Sequence, residues 1–230
     1  LDCGGQAEFN QHNPACPQCG SYWREAIYDY AHLPDILPLR ISQRPFNLWR
    51  YEELLPLSKP VHSVQMGEGG TPLIHAASLG SMLGNPNIYI KDERQNPTSS
   101  FKDRQAAVAI SMFKEADINE VVCASTGNVA IAYSAYAARA GIRLWAFVTS
   151  LVPSEKMREI AIYGSRLIKV TGTYDETKRL AEQFAQKRGY HLDLGSRSIA
   201  CIEGMKTIAF EICEQLGQII QNNSSQTSSS

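Results

Sequence analysis

The chain has 230 residues, of which 43% are hydrophobic and 20% are charged, and its formal net charge is -1. This composition is typical of a folded globular protein, and the near-zero charge argues against general binding to nucleic acid or to an anionic membrane surface. No apolar run reaches the roughly 18–20 residues that a membrane-spanning helix requires. Six cysteines beside a core of this size indicate free thiols in a reducing compartment. The sequence therefore predicts a cytoplasmic protein without a nucleic-acid or membrane partner.

Three of the cysteines, Cys3, Cys16 and Cys19, cluster near the start of the chain. Cys16 and Cys19 form a CxxCG knuckle, a tight turn that directs two thiolates at one ion, and Cys3 with its two following glycines is like half of a matching knuckle. These residues predict a structural zinc site in a zinc-ribbon-like segment over residues 1–25. A fourth ligand would stand one position before Leu1, which is therefore not expected to be the natural start. Three free thiols in a loop are the alternative.

Residues 26–66 contain five prolines and predict loops and short helices packed on a larger body. From residue 87, short apolar strands alternate with longer helices, a pattern that predicts β-α-β units on a parallel sheet. The predicted strands are 87–91, 121–124, 144–148, 167–170 and 190–192. The predicted helices are 101–115, 129–140, 154–163 with Ser154 as N-cap, 174–188 and 203–216. Residues 221–230 contain no apolar residue, so disorder is predicted there.

Two polar turns, at residues 96–102 and 125–128, are the predicted location of the chemistry. Right-handed crossovers place strand-to-helix turns along one edge of a parallel sheet, where ligands bind. The first turn has three hydroxyl side chains before a helix, and hydroxyls with N–H groups at a helix N-terminus form a seat for an anion. Lys102 follows in the first helical turn, where the helix dipole favours its neutral, nucleophilic amine. A solvated surface lysine beside a serine cap is the alternative.

The first of these turns, Asn-Pro-Thr-Ser-Ser-Phe-Lys-Asp-Arg at 96–104, resembles the cofactor-lysine motif of fold-type II pyridoxal-phosphate enzymes, with Ser99 in place of the usual glycine. Three more segments resemble motifs of threonine synthases, and the four motifs occur along this chain in the same order as in that family. They are Gly-Glu-Gly-Gly-Thr-Pro-Leu at 67–73, Ser-Thr-Gly-Asn at 125–128 and Glu-Gly-Met-Lys-Thr at 203–207. The resemblance implies a tryptophan synthase beta-like α/β fold with parallel sheets and helices on both faces. A small zinc-ribbon-like segment, which some threonine synthases carry, would precede it.

The β-α-β pattern and the resemblance together predict five segments of the chain. These are the zinc-ribbon-like segment at 1–25, the N-terminal part of a large pyridoxal-phosphate domain at 26–106, a small domain at 107–200, a return into the large domain at 201–217, and a disordered tail at 218–230.

The resemblance also implies a role for each site residue. Lys102 would hold pyridoxal 5′-phosphate covalently and then move protons at the α and β carbons of the substrate. Asn128 would hydrogen-bond the ring hydroxyl of the cofactor. Ser125, Thr126 and the backbone amides of Gly127 and Asn128 would hold the substrate carboxylate. From the residues alone, an ordinary strand-to-helix capping turn is the preferred interpretation of this second turn.

The implied activity is that of a lyase, homodimeric at full length, which converts O-phospho-L-homoserine and water into L-threonine and phosphate. Threonine synthases often carry Asn-Pro-Tyr-Arg before the Glu-Gly motif, but residues 198–202 contain neither Asn nor Arg. A threonine or serine dehydratase of the same fold is therefore one alternative, and a non-catalytic zinc-ribbon and α/β binding protein is another. The chain also stops before the glycine-rich loop for the cofactor phosphate, which predicts a C-terminally truncated copy that is weak or inactive alone.

Overall fold

The computed structural model describes residues 2–33, 35–125 and 127–227, with side chains described as far as Ile219. The helices are α1 (Leu37–Gln43), α2 (Ala77–Leu83), α3 (Lys102–Glu115), α4 (Asn128–Ala140), α5 (Ser154–Ile162), α6 (Tyr174–Arg188) and α7 (Ile199–Thr227). The strands are β1 (Leu73–His75), β2 (Tyr89–Lys91), β3 (Glu120–Ala124), β4 (Arg143–Thr149), β5 (Arg166–Val170) and β6 (His191–Leu192). Short 3-10 helices occur at 30–32, 48–54, 60–62, 93–95 and 195–197.

Four parallel strands form the central sheet in the order β5–β4–β3–β6. Val122 of β3 pairs with Trp145 of β4 on one side and with Leu192 of β6 on the other. Helices α4 and α5 connect neighbouring strands, whereas α6 carries the chain from the edge strand β5 to the opposite edge strand β6. The predicted β-α-β units on a parallel sheet are therefore confirmed for the strands from residue 120 onward. The predicted strand 87–91 does not join that sheet: as β2 it pairs antiparallel with β1, because the chain that precedes it folds back beside it.

Helices cover both faces of the central sheet. Val121 and Cys123 of β3 point into the larger core, which contains α3 and α4, because alternate residues of a strand face opposite sides. Val122 points the other way and packs with Phe147 of β4 and Ala181 of α6. Strands buried on both faces read as continuous apolar runs, as β3 does. The predicted arrangement of helices on both faces is confirmed.

Helix limits follow local capping signals where these are strong. α6 begins after a capping box, in which the side chains of Thr173 and Glu176 each bond the other residue's backbone N–H, and it ends at Gly189 in the left-handed conformation. Its limits match the predicted 174–188. Ser154, predicted as the N-cap of α5, is instead its first helical residue, and Pro153 holds the cap position with an extended backbone. The Ser154 hydroxyl donates to Glu155 Oε1.

The last helix is longer than the sequence predicts. α7 runs from Ile199 to Thr227, whereas the predicted helix covers 203–216 and disorder is predicted over 218–230. The structure corrects that prediction for 218–227, because extending an existing helix adds one hydrogen bond per residue without the cost of nucleation. Residues 228–230 lie outside the described part. In that part, no helix combines the length and the apolar character needed to cross a membrane.

Residues 26–66 form α1 and three 3-10 helices that loops connect, as the prolines predict. Leu48, Trp49 and Tyr51 from this region are buried and anchor it to the body. The predicted boundary between residues 106 and 107 falls within α3, whose apolar face joins the core that lies against the parallel sheet. The division into five segments stays a prediction.

Candidate active site

Topology brings Lys102 and Asn128 to the same edge of the parallel sheet. Helix α3 leads into the amino end of β3, and α4 starts after its carboxyl end, so both helices run antiparallel to this strand. Their N-termini, which carry Lys102 and Asn128, therefore lie at the carboxyl edge of the sheet, where ligands of open α/β folds bind. Both polar turns therefore lie at this edge, as their positions in the chain predict.

The turn before α3 binds a carboxylate of its own chain. The backbone N–H and the hydroxyl of Thr98 both donate to the Asp103 carboxylate at 2.9 Å. The Lys102 N–H donates to the Ser100 hydroxyl oxygen at 3.3 Å. Burial raises the pKa of Asp103 to about 6, although the Thr98 donors act in the opposite direction. The predicted anion seat is thus occupied by Asp103, which fixes the start of the helix that carries Lys102.

Ser99, which stands where glycine is usual, has a backbone φ of 56° in the left-handed region. An L-residue in this conformation costs roughly 1–2 kcal/mol, and glycine recovers part of that cost while losing more chain entropy on folding. We therefore expect Ser99→Gly to raise the free energy of unfolding by about 1 kcal/mol in denaturant titrations. Ser99→Ala keeps the left-handed strain and serves as the control. Equal stability of the glycine and alanine variants would contradict this account.

The Lys102 side chain is half-buried, and its ammonium lies 4.4 Å from the centroid of the Phe101 ring. Within the described residues, no carboxylate forms an ion pair with it. Burial raises the pKa of Cys201 on α7, and the positive charge of Lys102 acts in the opposite direction. Cys201 belongs to the stretch 198–202, where the Asn-Pro-Tyr-Arg motif is missing, and α7, which begins in that stretch, packs against α3.

The second turn is a capping turn in this structure. The Ser125 hydroxyl oxygen accepts hydrogen bonds from the N–H groups of Gly127 at 3.1 Å and Ala130 at 3.3 Å. Asn128, the first residue of α4, is exposed, and its Oδ1 accepts a hydrogen bond from Lys156 Nζ at 3.0 Å. Thr126 lies outside the described residues. The substrate-binding role of this turn stays a prediction.

A buried chain of polar groups that the sequence does not reveal lies behind the turns. Gln105 of α3 donates to the Tyr133 hydroxyl at 3.0 Å, and that hydroxyl donates to Asp193 Oδ1 at 3.1 Å. Burial raises the pKa of Asp193 to about 6. No local motif signals these residues, because each comes from a different element and they meet only in the folded chain.

Arg104 is completely buried and joins α3 to two distant parts of the chain. Its Nε donates to Glu93 at 2.7 Å, and its Nη1 donates to Glu211 at 2.6 Å and to Thr207 at 3.0 Å. Burial alone would lower the pKa of Arg104, but the two carboxylates outweigh it and raise the pKa. The guanidinium in turn lowers the pKa of both carboxyl groups against the effect of burial. The arginine and both glutamates therefore remain ionised inside the protein.

Segments 67–73 and 203–207 converge on the same arginine. Thr71 donates to the Glu93 carboxylate at 2.6 Å, and the Gly70 N–H donates to Glu211 at 2.9 Å. A Cβ atom on Gly204 would lie 2.5 Å from the Arg104 carbonyl oxygen, so glycine at this position lets α7 approach the backbone of α3. Both segments therefore hold the lysine-bearing helix in place.

The cysteine cluster predicted near the start of the chain is present. The sulfur atoms of Cys3, Cys16 and Cys19 all lie within 4.8 Å of one another, and Cys3 and Cys16 are 3.8 Å apart. Backbone N–H groups of Cys19 and Gln18 lower the pKa of Cys16 to about 7, which favours its thiolate. Residues 2–29 form turns without a strand. The zinc-ribbon-like segment stays a prediction.

A model of the family described as pyridoxal-phosphate dependent enzyme matches residues 64–224 of this chain. The chain belongs to this family. The matched range contains Lys102, the turn at 125–128 and most of α7. The prediction of a fold-type II pyridoxal-phosphate enzyme from the sequence motifs is confirmed.

Known relatives refine the placement within the family. The chain is 36% identical over 218 residues to threonine synthase of Methanocaldococcus jannaschii, covering 94% of this chain and 53% of the relative. It is 32% identical to threonine synthase of Methanosarcina acetivorans, covering 94% and 52%. Threonine deaminase isoform 2 from Solanum lycopersicum superposes with a TM-score of 0.60 at 26% identity, covering 75% of this chain and 50% of that one. The chain thus spans about half the length of the curated relatives it matches.

Pyridoxal phosphate is the cofactor of this family, and the residues at the sheet edge fit two of its groups. Its aldehyde requires an amine, and Lys102 offers one that pairs with no carboxylate of the described residues. Its ring hydroxyl requires a hydrogen-bond donor, and the exposed residue Asn128 offers an amide N–H donor at the same edge. The donor set therefore suits the reactive face of the cofactor.

Proposed function

We propose that this chain forms part of a threonine synthase-type lyase, which converts O-phospho-L-homoserine and water into L-threonine and phosphate. The observation that carries this proposal is the similarity to threonine synthases, with 36% and 32% identity to two relatives over 94% of the chain. The placement of Lys102 and Asn128 at one sheet edge supports it independently.

When bound, pyridoxal phosphate supplies an electron sink that stabilises carbanions of the substrate. Lys102 holds the cofactor through its amine and then moves protons at the α and β carbons of the substrate. Asn128 donates a hydrogen bond to the ring hydroxyl oxygen. These two roles need an amine and an amide at the positions where the structure has Lys102 and Asn128.

The turn at 125–128 holds the substrate carboxylate. The Ser125 oxygen accepts two N–H bonds, which leaves the hydroxyl proton as a donor to that carboxylate. Thr126 supplies a second hydroxyl, and the backbone of Gly127 and Asn128 lies at the positive end of α4. The site thus joins an anion-binding turn to the lysine helix α3.

Borohydride reduction of the cofactor-loaded natural gene product, followed by peptide mapping, tests the proposal. We expect the reduced cofactor on Lys102. We also expect turnover of O-phosphohomoserine to threonine and phosphate in an assay with purified protein. A label on another residue, or the absence of any label, would refute the assignment of Lys102.

A threonine or serine dehydratase is the second candidate. The stretch 198–202 at the start of α7 lacks the Asn and Arg of the threonine synthase motif, and the fold superposes on a threonine deaminase. Ammonia and 2-oxobutyrate from threonine, without threonine from phosphohomoserine, would select this candidate. A non-catalytic binding protein would instead show no visible absorption after addition of pyridoxal phosphate.

Two properties of the whole protein follow from the same proposal. The partner is a small amino-acid substrate, and the enzyme is a cytoplasmic homodimer. Sedimentation of the natural gene product tests the dimer, and a monomer at micromolar concentration would refute it.

We also propose that Cys3, Cys16 and Cys19 bind structural zinc, because their sulfur atoms lie within reach of one ion. Tetrahedral zinc takes four ligands, and the three thiolates supply three of them. We expect purified protein to contain zinc, and we expect Cys16→Ser to lose it while Cys213→Ser, at a remote exposed cysteine, keeps it. Equal zinc content in both variants by metal analysis would refute the site.

A further inference from the structure

Lys156 lies against the turn that carries Asn128, although it belongs to another helix. It stands in the first turn of α5, and its Nζ is 3.0 Å from Asn128 Oδ1. A Cβ atom on Gly127 would lie 2.9 Å from the same Nζ. The ammonium group therefore contacts both the backbone and the side chain at the start of α4.

This contact determines which end of the Asn128 amide is available to a ligand. An ammonium group has three donors and no acceptor, so it can bond only to the amide oxygen. The amide nitrogen Nδ2 is then left as the free end, and in the described part of the chain no group accepts its hydrogens. A lysine here thus selects one of the two amide orientations, which are otherwise nearly equal in shape.

The free amide nitrogen of Asn128 is a hydrogen-bond donor, which is the group that the ring hydroxyl of the cofactor requires. The ring hydroxyl of pyridoxal phosphate is an acceptor when it loses its proton, and only an N–H or O–H donor stabilises that form. The positive charge on Lys156 also polarises the amide, which strengthens Nδ2 as a donor. An Asn128 amide turned the other way would present its oxygen to another oxygen.

We propose that Lys156 is a positioning residue that orients the Asn128 amide so that Nδ2 donates to the cofactor ring hydroxyl. This inference rests on the proposed function, in which Lys102 holds the cofactor. Lys156 touches neither cofactor nor substrate in this role and acts only through Asn128.

Three variants of the natural gene product test the role. Lys156→Met removes the donor and keeps the length of the side chain, Lys156→Arg keeps a donor, and Arg158→Met removes a neighbouring exposed cation on the same helix. We expect Lys156→Met to weaken cofactor binding about tenfold and to shift the absorption maximum of the bound cofactor. We expect Lys156→Arg to stay within about threefold of the parent protein and Arg158→Met to match it. Thermal unfolding of the cofactor-free proteins should be the same for all, since the lysine is partly exposed.

A double-mutant cycle with Asn128→Ala separates indirect from direct action. If Lys156 acts through Asn128, Lys156→Met adds no further loss of cofactor affinity in the Asn128→Ala background. Additive losses would overturn the proposal, and so would a Lys156→Met variant that raises only the KM of an anionic substrate. Borohydride labelling of the parent protein is done first, and failure to label Lys102 refutes the proposed function. If Lys102 is labelled but the Lys156→Met variant keeps the cofactor affinity and absorption maximum of the parent protein, only this inference is refuted.

Discussion

Replacing Lys102 with alanine is expected to abolish turnover and to remove the visible absorption that the natural gene product shows after loading with pyridoxal phosphate. The amine at the start of α3 is the group that holds the cofactor in our proposal, and it also moves the substrate protons. A positioned acid–base group alone contributes about 10²–10⁴-fold to rate. Loss of both roles should therefore reduce kcat by at least about 10³-fold. Absorption spectra and steady-state kinetics measure the two effects.

Lys114→Ala is the matched control, because Lys114 lies near the end of the same helix and is exposed. It should keep the spectrum and the activity of the parent protein. The Lys102→Ala protein should also unfold at the same denaturant concentration as the cofactor-free parent, since the side chain is only half-buried. A Lys102→Ala variant that keeps the cofactor band after dialysis would contradict the assignment.

Arg104→Met is expected to destabilise the protein by about 3–5 kcal/mol, because it removes the partner of two carboxylates that cannot regain water. Glu211 is fully buried and Glu93 is partly buried, and both face the guanidinium at hydrogen-bond distance. Lys91 contacts Glu211 at 2.6 Å and compensates for part of that loss. Urea titration of the cofactor-free protein measures the change.

Lys178→Met provides the comparison. Lys178 pairs with Asp175, and both side chains are exposed, so removal of the lysine should leave the free energy of unfolding nearly unchanged. Combining Arg104→Met with Glu211→Gln should cost less than the sum of the two single changes, because the second change removes the unpaired charge. Strict additivity in this cycle would show that Arg104 and Glu211 do not interact as the structure indicates.

Local sequence signals account for most of the secondary structure around the site. The alternation of short apolar strands with helices predicts the parallel sheet, and the glycine at 189 and the acidic residues after Thr173 set the limits of α6. These signals act between residues close in the chain, so they can be recognised without the fold. The prediction fails at the end of α7, where helix propagation outweighs a polar composition that favours disorder.

The sequence does not predict which groups contact the site residues. The sequence motif places Lys102 and Asn128, but it does not show that Lys156 holds the Asn128 amide from another helix. The turn at 96–102 indicates an anion-binding site, yet in the structure the Asp103 carboxylate occupies it. In both cases the deciding contact depends on the exact packing of neighbouring groups and not on residue type.

The sequence by itself determined the parallel α/β architecture, and its motifs indicated the family and the candidate cofactor lysine at the carboxyl edge of the sheet. Periodicity and turn chemistry are properties of neighbouring residues, and the order of strands and helices limits the topology. Only the tertiary structure decided that Arg104 pairs with Glu211, which is 107 positions away, and thereby clamps α7 on α3. Many acidic residues could have met that arginine, and the choice depends on how the helices pack once water is excluded between them.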